Sequence, residues 1–413
     1  MAAVPILASN AMVGTFFITS GYVGAAGYLT RANISALAAA GHEIGGHSLN
    51  HPDLAAIDPI EAGRQICADR TALLSWGLPV RSFAYPFASS TPAVEQQVLD
   101  CGYRSARMLG DLRSRFGCGD CDYAETMPPA SATYTRALDQ VDRTWTLADL
   151  KKGVTNAETS GGWVQFTFHD VCATGCGDLR VTPAVLSQFL AWLKPRASTH
   201  NTVVRTVGAV VGGSVAPAVP GPRAPPAGPG VNALVNPGME SLGTDGLPAC
   251  WMVGGWGTNT PILDTVSPGR TGSVAGRVRI TGYSSGDAKL LPRFDLGTCS
   301  PTVVAGRTYS LRTWYSSTSV TQFALYLRQA SGAWQYWTSS PWFAASTPYT
   351  QAAWTTPPIP AGYTGLSFGM SLFSNGTLLV DDAGLYDSVG APPMAPAAVS
   401  APPLGARLGA PSG

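Results

Sequence analysis

Hydrophobic and polar positions change period once along the chain. Over roughly the first two hundred residues, short apolar runs alternate with stretches patterned at helical spacing. Residues 15–19 predict a short buried strand, and residues 29–40 predict a helix capped by Thr30 and stopped by Gly41. Asp58, Pro59 and Glu61 then supply a cap acceptor, a proline at the first helical position and a carboxylate three residues after the cap, the order of a capping box. Ile60, Ile66, Cys67, Arg70, Leu73 and Leu74 continue that helix. Residues 82–87 read as extended, 92–99 as helix and 163–168 as a buried strand. Strands alternating with helices predict parallel strands joined by crossovers, in an open sheet or a barrel.

Beyond about residue 230 the period becomes two. Tyr309, Leu311 and Thr313 alternate with Ser310, Arg312 and Trp314, and Phe323, Leu325 and Leu327 alternate with Ala324, Tyr326 and Arg328. Short alternating runs punctuated by Gly and Pro predict an all-β sandwich. Between the two patterns, residues 212–230 are rich in Pro, Ala and Gly and predict a linker without a packed core. The expected organisation is an α/β domain over 1–211, the linker over 212–230, a sandwich over 231–387 and a disordered tail over 388–413.

Composition changes this picture little. The net charge is +1, from 26 basic and 25 acidic side chains, so no clustered positive field argues for a nucleic-acid partner or an anionic membrane. No apolar run reaches the length of a membrane-spanning helix. Residues 1–13 are apolar, but no Lys or Arg precedes Arg31, so the positive flank of a signal peptide is missing. Eight cysteines, Cys67, Cys101, Cys118, Cys121, Cys172, Cys176, Cys250 and Cys299, form an even set that points to an oxidising compartment.

The sharpest chemical signal is His47-x-x-x-His51, because two imidazoles at this spacing can reach one metal from a helical turn or a tight loop. Taken alone, the pair reads equally as surface or capping histidines. Residues 81–87 are an extended run ending in Pro86, and residues 163–170 end in His169 and Asp170. Functional residues on parallel α/β folds gather at such strand ends, although a stopping proline and a structural histidine give the same pattern.

Taken in order, the Gly14-Thr15-Phe16-Phe17 run, the lead from Gly41 to Gly45, the His47/His51 pair, the Arg81 to Phe87 segment, Phe168-His169 and the closing 202–212 segment resemble the NodB-homology polysaccharide deacetylases, carbohydrate esterase family 4. The resemblance covers about residues 1–212. It implies a distorted (β/α) barrel that hydrolyses acetyl groups from an N- or O-acetylated polysaccharide of chitin, peptidoglycan or xylan type. His47 and His51 would hold Zn2+ or another divalent metal such as Co2+. The backbone N–H of Phe87 would help hold the oxyanion, with Ala88 standing where a glycine is common. His169 would be the general acid and Arg81 a supporting arginine, while Tyr85 and Pro86 would lie against substrate. Asp111, Asp120 and Asp139 are alternatives for the carboxylate that orients His169.

One departure stands out. The family opens with a strand ending in Thr-Phe-Asp-Asp, which carries the catalytic base and a carboxylate ligand, and nothing here corresponds to it. Glu43 is the sole acidic residue before His47 and reads as structural. A barrel lacking its first strand, from a misplaced start or a truncation, is therefore expected, with impaired activity in the chain as written. The alternative is a non-catalytic carbohydrate-binding protein with a degenerate deacetylase domain.

The second domain resembles jelly-roll carbohydrate-binding modules. That resemblance makes Trp314 and Tyr326 candidate sugar platforms, against a reading in which most rings are core, and suggests a structural Ca2+ at Asp381 or Asp382. Cys67 could tie to Cys101, Cys118 to Cys121, Cys172 to Cys176 and Cys250 to Cys299, with half a zinc knuckle or a redox pair as the other readings of Cys118-x-x-Cys121. A secreted monomer acting on a polysaccharide is expected.

Overall fold

The computed structural model describes residues 2–393, and the chain divides between Pro222 and Arg223 into two compact units. From residue 394 onward the expected tail lies outside the described residues.

In the first unit, helix α1 (Ala3–Ser9) is followed by β1 (Thr15–Ile18), α2 (Arg31–Ala39), β2 (Glu43–Gly46), α3 (Pro59–Ser75), β3 (Ser82–Ala84), α4 (Pro92–Asp100) and β4 (Ser105–Arg107). The four strands form a parallel sheet in sequential order, each joined to the next across a helix. Local chemistry sets the boundaries. The Thr30 side chain accepts from Asn33 N–H in a reciprocal capping box, and Gly41 closes the turn after α2 at φ 86°. Asp58 caps α3 by accepting from the N–H groups of Ile60 and Glu61. Glu61 turns inward instead of completing a box, and accepts from Gln65 and Arg64. Ile34, Leu37, Ile66, Leu73, Phe83 and Val98 fill the core between these helices and the sheet.

The remainder comprises α5 (Leu147–Ser160), β5 (Asp170–Val171), β6 (Arg180–Val181), α6 (Pro183–Leu193), α7 (Arg196–Thr199) and α8 (Val207–Val211). The strand expected at 163–168 is extended backbone held by single bridges, Glu125 to Trp163 and Val141 to Phe168. Its neighbour around residues 131–141 is irregular, so no continuous ladder forms. Another bridge, Arg107 to Thr135, continues the sheet past β4. The first unit thus holds a four-stranded parallel sheet with an irregular extension, and no closed barrel forms among the described residues. A second core of Val141, Trp145, Leu150, Val154, Leu186 and Phe189 lies under α5 and α6.

The predicted linker differs from expectation. Residues 213–222 belong to the first unit and run along it as an extended strap. Arg81 donates to the carbonyl of Gly213 (2.9 Å) and Arg104 to that of Ser214 (3.1 Å). Arg70 reaches Ala216 (2.7 Å) and Pro217 (2.9 Å), and Arg64 reaches Pro222 (3.0 Å). Extended proline-rich backbone makes few bonds of its own, so its carbonyls are free to accept from guanidinium groups.

The second unit is a sandwich of two five-stranded antiparallel sheets. Its strands are β7 (Trp251–Trp256), β8 (Pro261–Val266), β9 (Ala275–Ile280), β10 (Asp287–Pro292), β11 (Tyr309–Ser317), β12 (Thr321–Gln329), β13 (Trp334–Ser339), β14 (Ser346–Thr355), β15 (Tyr363–Leu372) and β16 (Gly376–Asp387). The sheet orders are β13-β12-β15-β10-β7 and β14-β11-β16-β9-β8. The period-two pattern is realised, since Leu311, Tyr315, Phe323, Leu325 and Leu327 all point into one core. Cysteines pair as Cys67–Cys101, Cys118–Cys121, Cys172–Cys176 and Cys250–Cys299. No helix among the described residues is long and apolar enough to cross a membrane.

Candidate functional site

The C-terminal ends of β2, β3 and β4 bring together His47, Ala84 and Arg107, the edge of a parallel sheet where sites form. His47 follows directly on β2. Its N–H is shared between the carbonyl of Ile18 (3.1 Å) and the carboxylate of Asp69 (3.0 Å). Its ring Nδ1 lies 2.7 Å from the carbonyl of Ala84. A carbonyl only accepts, so Nδ1 carries the proton and Nε2 presents a bare lone pair. Burial holds the His47 imidazole far below its ordinary range, to about 3, so it is neutral at pH 7.

The chain then turns tightly, with Ser48 at φ 63° and His51 at φ 56°, and Ser48 Oγ accepts from the His51 N–H (3.0 Å). This loop, and not a helical turn, returns the second imidazole to the first. The two Nε2 atoms are 3.1 Å apart. That separation is close to the ~3.3 Å expected between two nitrogens bound to one tetrahedral zinc at ~2.0–2.1 Å. Burial also lowers the His51 pKa, so both rings are the neutral donors a metal requires.

His47 and His51 therefore fit two neighbouring corners of a divalent-ion site. Among the described residues no third His, Cys, Asp or Glu ligand atom joins them, and the one group of three is Cys118, Asp120 and Cys121. The two sulfurs of that group are joined in a disulfide, which removes them as thiolate ligands.

Phe87 stands beside the pair. It is 67% exposed, its ring meets His51 edge-on at 4.8 Å, and it sits at φ 57° in the turn Pro86–Ala88. Ala88 and Ser89 N–H turn back to the carbonyls of Tyr85 and Pro86, while the Phe87 N–H has no partner among the described residues. Ala88 also has positive φ (50°), which gives a physical reason for a glycine to be common at this position. His169 is exposed on the same side. Desolvation, then the charge of Arg107, lowers its pKa, and Asp170 opposes the shift.

Several expected residues lie elsewhere. Arg81 precedes β3 at the opposite end of the sheet, where it holds the strap. Glu43 is structural there, accepting from Thr15, Ser82 and the N–H of Gly208. Tyr85 is 2% exposed and donates to the carbonyl of Thr133, and Pro86 is buried, so neither offers a face to substrate. Asp139 accepts from Ser114, Asp111 pairs with Tyr134, and Asp120 lies beside the Cys118 sulfur, so His169 is oriented by none of the three candidates.

In the second unit, the Arg270 guanidinium covers Trp314 at 3.6 Å, so that ring is no open platform. Asp381 accepts from the N–H groups of Arg270, Thr271 and Asp382, and Asp382 is bound by Arg270 and Thr271. With their oxygens already engaged, these two carboxylates do not fit the suggested Ca2+ cage. Tyr326 is half-buried on the other sheet, in a cluster with Phe294 and Tyr336 whose stack Trp334 continues.

Sequence reasoning missed Arg107, Asp69 and Gln65. The signal for the latter two was present: Glu61, Gln65 and Asp69 recur every four residues on α3, a polar stripe that the structure buries.

Residues 1–106, a stretch that includes both histidines and Phe87, match the family model for polysaccharide deacetylase. No curated protein matches the chain. Among solved structures, the Xyl-CE4 domain of a multidomain xylanase from the hindgut metagenome of Trinervitermes trinervoides is 14% identical, covering 51% of this chain and 81% of its own, with a TM-score of 0.33. The CBM22-1 xylan-binding domain of Paenibacillus barcinonensis Xyn10C is 12% identical over 40% of this chain and 99% of its own, with a TM-score of 0.29. The C-terminal family 22 carbohydrate binding module of Clostridium thermocellum Xyn10B is 16% identical over 39% of this chain and 98% of its own, with a TM-score of 0.26.

Proposed function

We propose that the first unit is a metal-dependent deacetylase that removes N- or O-acetyl groups from a polysaccharide outside the cytoplasm. The observation that carries this reading is the pair of imidazole Nε2 atoms 3.1 Å apart, one with its tautomer fixed by Ala84, inside a stretch that matches the deacetylase family. A divalent ion such as zinc, held by His47 and His51, would polarise the acetyl carbonyl and acidify water.

The chain's own groups do the rest. The free N–H of Phe87 donates to the carbonyl oxygen as it gains charge. Its exposed ring gives the sugar an apolar surface beside His51. His169, neutral at pH 7, takes the proton of the attacking water and returns it to the departing amine or alcohol oxygen. The four disulfides fit a secreted enzyme. The sandwich would hold the polymer, with Tyr326, Trp334 and Tyr336 as its aromatic patch.

The two-imidazole donor set favours a second reading, a polysaccharide-binding protein without turnover. Acetate release from acetylated xylan, chitin oligosaccharides and peptidoglycan, with and without added zinc, separates the two. Zinc-stimulated release that His47→Ala and His169→Ala each reduce at least ~100-fold supports the enzyme. Polymer retention with no acetate on any of these substrates selects the second reading.

A further inference from the structure

The loop that carries both histidines owes its shape to one face of α3. Asp69 is fully buried and accepts three hydrogen bonds, from the N–H of His47 (3.0 Å), the N–H of Ser20 (3.0 Å) and the hydroxyl of Tyr103 (3.1 Å). Gln65, one turn earlier, is 3% exposed. Its side-chain oxygen accepts from the N–H of Asn50 (3.0 Å), and its backbone carbonyl accepts from the N–H of Leu49 (3.1 Å). Its amide nitrogen is in turn held by Glu61 (3.0 Å). From the other side, Gly21 N–H donates to the carbonyl of Leu49 and Tyr22 OH to that of Asn50. The loop is thus gripped at both ends by acceptors spaced four residues apart on one rigid helix, and the imidazoles it presents are also four residues apart.

We propose that α3 is the template for the two-imidazole site, with Asp69 and Gln65 as positioning residues that set the 3.1 Å approach of His47 to His51. The inference rests on the deacetylase reading for its purpose, but its geometry stands on the chain alone. Positive φ at Ser48 and His51 disfavours this loop in isolation, so an outside frame must hold it. An amide at position 69 would offer one acceptor oxygen to three donors and would turn its own N–H2 toward one of them.

The test uses the full chain. Zinc affinity is measured by titration calorimetry, and backbone hydrogen exchange is measured on metal-free protein, for wild type, Asp69→Asn, Gln65→Leu, the pair Glu61→Gln with Gln65→Glu, and Tyr103→Phe. The last variant removes a bond to Asp69 that does not involve the loop, and so reports what lost stability alone does. We expect zinc affinity to fall ~10–100-fold in Asp69→Asn and Gln65→Leu, the scale typical of groups that orient metal ligands. Gln65→Glu combined with Glu61→Gln, which keeps the acceptor for Asn50 and restores a donor to position 65, should recover most of the loss, and Tyr103→Phe should stay within about threefold of wild type. Exchange at His47 should quicken at least ~10-fold in Asp69→Asn, and at Asn50 in Gln65→Leu. Unchanged exchange at both positions, or an equal loss of zinc in Tyr103→Phe, would overturn the template. If wild type binds no zinc while exchange responds as stated, the metal reading falls and the template stands.

Discussion

Arg107 places a buried guanidinium beside His47 and His169, over the ring of Phe17, and burial pulls its own pKa down to about 10 without discharging it at pH 7. A cation there disfavours imidazolium, so replacing it moves His169 upward. Arg107→Met should shift the acid limb of the kcat/KM profile to higher pH by about half to one unit, and Arg107→Lys should leave the limb near its wild-type position. Folded-state titration of His47 at about 3, against 6.5 when unfolded, has a consequence for stability. Below about pH 6.5 the unfolded chain takes up a proton that the fold refuses, so stability falls as pH drops from there toward 3. Asp69, raised to about 6 by burial, acts with the opposite sign between about 6 and 3.8, because there the fold binds the proton first. In metal-free urea denaturation, His47→Asn should lose less stability between pH 7 and pH 4.5 than wild type does. The His47/His51 motif was legible because chemistry and spacing coincide in five residues. Arg107 was not, because its place in the site depends on the register of β4 against β3, which pairs it with Ala84.

At the scale of elements, local signals carried far. Thr30, Asp58 and Gly41 mark real helix ends, since caps and stops are decided by neighbouring backbone. What failed was what depended on distant partners. Residues 163–168 have strand composition yet no regular neighbour to complete a ladder, and the polar stripe of α3 faces inward because the histidine loop needs acceptors. Proline and alanine supply no core, so the sequence predicts a free linker over 212–230, of which residues 213–222 form the strap. Its order comes from arginines more than a hundred residues away in sequence. Arg70 alone satisfies the carbonyls of Cys101, Ala216 and Pro217. Arg70→Met should therefore destabilise the protein by about 2–4 kcal/mol in urea denaturation, and limited proteolysis should then cut within 213–222.

Over the whole molecule, the two patterns of hydrophobic period correspond to two units, the first with two cores against its helices and parallel sheet, the second with one core between antiparallel sheets. Each unit contains a disulfide that spans a long stretch. Cys67–Cys101 ties α3 to the end of α4, and removing it with a paired Cys→Ala change should cost about 3–4 kcal/mol in the chain-entropy account. Because α3 also frames the histidine loop, the same change should weaken zinc binding, whereas removing Cys250–Cys299 in the second unit should not. The central claim is that two imidazoles from one loop bind a single metal. X-ray absorption at the zinc edge of the full protein, loaded with one equivalent, tests it most directly. The account predicts two imidazole nitrogens at ~2.0–2.1 Å with oxygen completing the sphere, lost on His47→Ala or His51→Ala. Sulfur at ~2.3 Å, or a spectrum indifferent to both substitutions, would contradict it.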